Sequence, residues 1–176
     1  MPVIDAHAHC GIKWHRHAGE PGYRYDDPGC RSALEEIRRR HLPVVLEEEY
    51  DNTVRFIREL ADGVAVIIPH LGMLNGGFHS IATSGLWAQE NVWADTALAS
   101  RNEIGQYLRR YGHRRLMFGT DFPFGEPYSE LHKVRGLHLD PAVEAAVLGG
   151  NFFDIGFDGE DIVRPNVYSK KPSPSF

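Results

Sequence analysis

The chain has 176 residues, 42% of them hydrophobic and 24% charged, with a formal net charge of -5. That balance describes one soluble globular domain and argues against nucleic acid or an anionic membrane as partner. No apolar run spans a bilayer, the N-terminus lacks a basic-then-apolar leader and two cysteines make no disulfide framework, so a cytoplasmic protein with free thiols is expected.

In chain order, residues 3–6 form a short apolar run that opens into His7 and His9. On a strand, side chains two apart share a face, so these imidazoles point together and make half of a divalent-metal site, with Zn²⁺ the default for nitrogen ligands. Residues 11–14 are a weak strand. Asp27-Pro28 offers an N-cap with proline at the first helical position, leading into a helix over 32–41. Residues 43–47 read as a strand, and Asp51-Asn52-Thr53 caps a helix with Val54, Ile57 and Leu60 on one face. Strands follow at 64–69 and 91–96. Ser100 to Glu103 reads as a capping box for a helix running to about Tyr111 and closed by Gly112. A strand over 116–120 comes next, then Asp140-Pro141 opens an amphipathic segment that stops at Gly149-Gly150. Residues 1–157 are read as the domain and 158–176 as a partly disordered extension, in which 170–176 form a mobile tail.

Apolar strands alternating with helices specify a parallel sheet covered on both faces. The order is that of a (β/α) barrel, but six candidate strands fall short of the eight that usually need about 250 residues. The expected fold is therefore α/β, an abbreviated TIM-barrel-like sheet of about six parallel strands.

Several strands end in chemically competent residues. The run 64–69 ends at His70, 116–120 ends at Asp121, and 43–47 ends in Glu47, followed by Glu48 and Glu49. In parallel barrels the C-terminal strand ends converge on one mouth, so His7, His9, His70, Asp121 and one of the three glutamates are candidates to meet there. Neutral imidazoles and a carboxylate can hold one divalent ion with a position open to water, and the ion lowers that water's pKa. Asp121 suits the role of proton acceptor, and His70 that of a ligand or a group stabilising the developing oxyanion. Taken singly, each has a bland reading: a hydrogen-bonded strand-end histidine, a turn aspartate, a solvated acidic helix entry.

The segments Ile4-Asp5-Ala6-His7-Ala8-His9, Ile68-Pro69-His70-Leu71-Gly72 and Phe118-Gly119-Thr120-Asp121-Phe122-Pro123, with 91–96 between the last two, resemble the amidohydrolase superfamily of metal-dependent TIM-barrel enzymes. The likeness is to its amidohydrolase-2 branch, which includes the aminocarboxymuconate-semialdehyde decarboxylase-like proteins. The resemblance makes these segments the family's first, sixth and eighth strands, with 91–96 the seventh. Gly11-Ile12-Lys13-Trp14-His15 is similar to the fourth strand, so the second and third βα units are absent. Residues 43–47 match the fifth strand, where Glu47 stands in place of the family's usual metal-binding histidine. The resemblance implies metal roles for His7, His9, His70 and Asp121, with Glu47 as an oxygen ligand and catalytic roles for Asp121 and His70. It places Lys13 and His15 at the substrate pocket, with Arg16 as a further substrate-side residue. One divalent ion is implied, Zn²⁺ first, with Mn²⁺ favoured if Glu47 makes the site harder.

The leading expectation is hydrolysis of an ester, lactone or amide carbonyl by metal-activated water. Non-oxidative decarboxylation and a degenerate, non-catalytic metal-binding scaffold are the alternatives. A small-molecule substrate is expected, and so is a homodimer, because an unclosed sheet leaves edges to cover.

Overall fold

The computed structural model describes residues 3–6, 11–16 and 22–155. His7, His9 and Cys10, and the extension from 158 on, lie outside the described residues. Among the described residues, five parallel strands form one sheet in sequence order: β1 (Ile12–His15), β2 (Val44–Glu47), β3 (Val66–Ile68), β4 (Val92–Asp95) and β5 (Leu116–Met117). Residues 3–6 were expected to supply a sixth strand. They lie beside β5 instead, through Ile4 N–H to Leu148 O at 2.8 Å and Ala6 N–H to Phe118 O at 2.8 Å. One of those acceptors, Leu148 O, belongs to the π-helical turn Ala146–Gly150 that continues the last helix, so the contact is a docking rather than a continuous ladder.

Helices α1 (Pro28–Arg39), α2 (Tyr50–Arg55), α3 (Phe78–Thr83), α4 (Arg101–Tyr111), α5 (Pro127–Arg135) and α6 (Pro141–Ala145) alternate with or follow the strands. Asp27 caps α1 by position with Pro28 inside it, and Asp140 caps α6 by accepting the Ala142 N–H. The Asp51-Asn52-Thr53 cap is displaced: Glu49 is the N-cap, and the helix continues past Arg55 into a wider π turn over Phe56–Leu60. α3 and α5 were not anticipated. α5 nevertheless carries a signal, Glu126 before Pro127, and that carboxylate accepts the Tyr128 and Ser129 N–H groups.

Side chains alternate across the strands, which divides the core in two. Val44, Leu46, Val66, Ile68, Val92, Ala94 and Leu116 face the helices, packing with Phe56, Trp87, Ile104 and Tyr107. Val45, Ile67, Trp93 and Met117 face the opposite way and pack with Ala6 and Ile155. This smaller cluster fills the concave side, so the polar residues that continue its rows lie above it at the strands' C-terminal ends.

The α4 capping box forms as its spacing predicts: Ser100 Oγ accepts the Glu103 N–H and Glu103 accepts the Ser100 N–H. Ser100→Ala removes an acceptor from a helix that buries Ile104 and Tyr107. It is expected to cost about 1 kcal/mol in urea unfolding, and a change below a few tenths would mean that water replaces the cap.

Candidate metal and catalytic site

β3 ends at Ile68, and Pro69 leads directly into His70, which is buried. The turn is sharp because His70 and Leu71 both take left-handed backbone conformations, at φ 55° and 48°. A non-glycine residue there costs about 1–3 kcal/mol and persists only when its surroundings hold it. Here the His70 N–H donates to Asp95 Oδ1 at 2.9 Å, and the same oxygen accepts the Ala97 N–H at 3.0 Å. Asp95 is fully buried at the end of β4, so one carboxylate fixes the exits of two neighbouring strands.

Beyond β5, Asp121 is also left-handed, at φ 54°, in a turn closed by Phe124 and Gly125 N–H groups donating to its carbonyl. Thr120 is anchored by Asp5: its N–H donates to Asp5 Oδ1 at 3.0 Å and its hydroxyl donates to the other carboxylate oxygen. Asp5 is thereby fastened to the residue preceding Asp121. His70 Nε2 and Asp121 Oδ2 stand 3.2 Å apart, with side chains 2% and 16% exposed. Two residues 51 positions apart in sequence thus meet at the concave mouth.

β1 and β2 supply the other side. His15 pairs in register with Glu47, and Lys13 with Val45, which puts Lys13, His15 and Glu47 on the concave face. Lys13 Nζ lies 2.9 Å from Glu47 Oε2. Burial pushes the Glu47 pKa up, but the hydrogen bond and charge of Lys13, with His70 and His15 adding theirs, outweigh it and hold the carboxyl below its usual range. Lys13 and His15 also line a shallow cavity of about 280 Å³ with Trp14, Tyr23 and Cys30.

Arg16 and Glu48 follow the opposite parity. Arg16 Nε lies 3.2 Å from Glu48 Oε2, its guanidinium sits 4.2 Å from the Tyr23 ring centroid, and the Tyr23 hydroxyl donates to Glu48. Burial and the Glu48 carboxylate keep the Tyr23 phenol well above its ordinary pKa, so it remains a donor. The structure therefore brings together His70 and Asp121, and Glu47 with Lys13 and His15. It turns Arg16 away to the helix-covered face, because each step along a strand reverses the side.

Among the described residues no group of three or more His, Cys, Asp or Glu is arranged to hold a metal ion. His70 and Asp121 offer one imidazole nitrogen and one carboxylate oxygen, donors that suit Zn²⁺ or Mn²⁺. The two further nitrogen donors expected from the sequence, His7 and His9, are outside the described residues. Sequence pattern alone assigns no role to Asp5 or Asp95. The signal for Asp95 was present, since it ends an apolar strand as Asp121 does.

The family profile described as Amidohydrolase matches residues 52–151. No curated protein sequence matches the chain. Among solved structures, the chain is similar to 5-carboxyvanillate decarboxylase from Sphingomonas paucimobilis, at a TM-score of 0.64 and 16% identity over 84% of this chain and 58% of that one. A protein of Pseudomonas putida provisionally assigned as a 2-pyrone-4,6-dicarboxylic acid hydrolase gives 0.60 and 19%, over 82% of this chain and 63% of that one. The dihydroxybenzoic acid decarboxylase of Polaromonas sp. JS666, solved with bound manganese and an inhibitor, gives 0.55 and 15%, over 78% and 56%. At these identities the likeness establishes the fold: an α/β sheet of TIM-barrel type, abbreviated. The chain spans less than two thirds of each of these three proteins.

Proposed function

The chain belongs to the amidohydrolase family, and on that premise we propose that it is a metal-dependent hydrolase of an ester, lactone or amide carbonyl in a small-molecule substrate. The observation that carries this reading is the His70–Asp121 pair, 3.2 Å apart and held by strained backbone on two different strand ends. Structural turns do not need a buried histidine and a half-buried aspartate, both left-handed and ionisable, in contact. Catalytic sites tolerate such strain because it fixes reacting groups in place.

His7, His9 and Asp121 would hold one divalent cation, Zn²⁺ or Mn²⁺, with Glu47 beside them as an oxygen donor. When bound, such an ion supplies Lewis acidity that polarises a carbonyl and acidifies water. Asp121 accepts the proton of the attacking water and returns it to the leaving group. His70 orients that water through Nε2 and stabilises negative charge as it develops on the carbonyl oxygen. Lys13 and His15, on the concave face with Glu47, would face the substrate. Arg16 is omitted from this set because its guanidinium is engaged by Glu48.

A second reading, non-oxidative decarboxylation, is favoured by the decarboxylases among the similar structures. Incubation with a panel of lactones, amides and carboxylated aromatic acids separates the two. Acid release without CO₂ supports hydrolysis, and stoichiometric CO₂ assigns the second reading. Dialysis against a chelator is expected to abolish turnover and Zn²⁺ or Mn²⁺ to restore it. Activity that survives a metal content below about a tenth of an ion per chain would contradict both, since neither works without its cation. Metal-free protein that neither recovers nor binds would leave only a scaffold role. β1 is the terminal strand of the sheet among the described residues, and we propose that a second copy covers that side.

A further inference from the structure

The end of α4 and the loop behind it carry Arg109, Arg110, His113, Arg114 and Arg115, in a chain of net charge -5. Elsewhere on the surface arginines are matched by acids, Arg39 and Arg40 by Glu36 and Arg55 by Asp26 and Glu59. Among the described residues no carboxylate pairs with Arg109, Arg110 or Arg114. The C-terminus of α4 accounts for the first two, since cations suit that end of a helix dipole. It does not account for Arg114, which is exposed beyond Gly112. There two hollows of about 570 and 510 Å³ share Glu90, His113, Arg114 and Arg115 in their walls. Tyr111 borders the first, and Trp93 and Asp154 border the second. Glu90 precedes β4 and residues 113–115 precede β5, so this groove lies at the opposite end of the sheet from His70 and Asp121. Its floor is fixed. Asn151 Nδ2 donates to the His113 and Leu116 carbonyls at 2.6 and 2.8 Å, and Arg115 Nη2 donates to the Trp87 carbonyl at 3.3 Å.

We propose that this groove binds a nucleoside phosphate. The Arg114 guanidinium is a planar fork that matches a pair of phosphate oxygens. Arg110, whose guanidinium lies 5.5 Å from the Tyr111 ring centroid, adds positive charge at that wall. Tyr111 and Trp93 offer rings on which a base stacks. Glu90 and Asp154 accept hydrogen bonds from sugar hydroxyls and repel a bare polyanion, which selects an anion joined to a polar, uncharged part. Each hollow falls in the range of about 300–1,000 Å³ usual for small-molecule sites, more than inorganic phosphate fills. No residue of the candidate metal site takes part, so the groove is independent of the cation.

Calorimetric titration of the full chain with ADP, pyrophosphate and adenosine, in chelator and without divalent cations, tests this. ADP is expected to bind saturably, about tenfold or more tighter than pyrophosphate or adenosine, because neither half alone engages both the arginines and the rings. Arg114→Gln should weaken ADP about tenfold or more, whereas Arg40→Gln, a surface change outside the groove, should alter it less than about twofold. Tyr111→Leu should weaken ADP and leave pyrophosphate unchanged. Absence of saturable ADP binding would overturn the proposal. So would pyrophosphate binding as tightly as ADP, which would mark a mere patch of charge. ADP binding that is indifferent to Arg114→Gln would place the ligand elsewhere and overturn it equally. Should Tyr111→Leu lose its fold, the ratio of ADP to pyrophosphate affinity in the unaltered chain decides the part played by the rings.

Discussion

Asp121→Asn should lower turnover by about 10²–10⁴-fold while leaving the fold intact, since that is the range a positioned acid–base group contributes. The change is nearly isosteric, and asparagine tolerates the left-handed backbone, so the φ of 54° at this position adds little strain to the variant. What is lost is the charge and the basicity of an oxygen 3.2 Å from His70 Nε2. A carboxamide turned toward that imidazole offers an N–H or a weak acceptor, neither of which takes a proton from water. Turnover and the circular-dichroism melt are measured together. Retained activity would remove Asp121 from the chemistry, and a lost melt would make it a folding residue.

Gly125→Ala should be more damaging than any single loss of a surface side chain. A Cβ at this glycine would stand 1.9 Å from the Thr120 carbonyl oxygen and 3.1 Å from Leu98 Cδ2. The first neighbour is backbone and cannot swing aside. The turn from 121 to 125 must open, breaking the Gly125 N–H to Asp121 O bond of 3.1 Å and straining the Phe124 bond of 2.8 Å. Thr120 is in turn fastened to Asp5, so the displacement reaches the opening segment. A stability loss of about 1–3 kcal/mol or more is expected in urea unfolding, together with weakened metal binding. Full stability and unchanged affinity would mean that the turn relaxes freely and positions nothing.

Much of this architecture was legible in the residues because strands covered on both faces leave continuous apolar runs, and the runs ending in His70 and Asp121 mark their own C-termini. The Ser100 box was legible for a similarly local reason: the cap and its reciprocal partner lie three residues apart. The exchange of faces at β1 and β2 was only half visible. Period-two alternation predicts that Glu47 and Glu48 diverge, and they do, but the same parity that admits Lys13 and His15 to the concave side excludes Arg16. The left-handed turns at His70 and Asp121 left no local mark, since neither residue is glycine and their strain is held by distant partners, Asp95 and the Thr120–Asp5 clasp. α3 escaped notice because it spans only Phe78–Thr83 and starts from a glycine at φ 92°, without a capping side chain.

The proposed function requires the opening histidines and the late-chain pair to share one cation. Diffraction at the zinc absorption edge from Zn²⁺-loaded crystals tests it most directly. A single anomalous peak is expected about 2.0–2.2 Å from a nitrogen of His7, a nitrogen of His9 and an oxygen of Asp121, with His70 beside it. A peak bound elsewhere, or full loading with His7 and His9 turned to a different cavity, would contradict it.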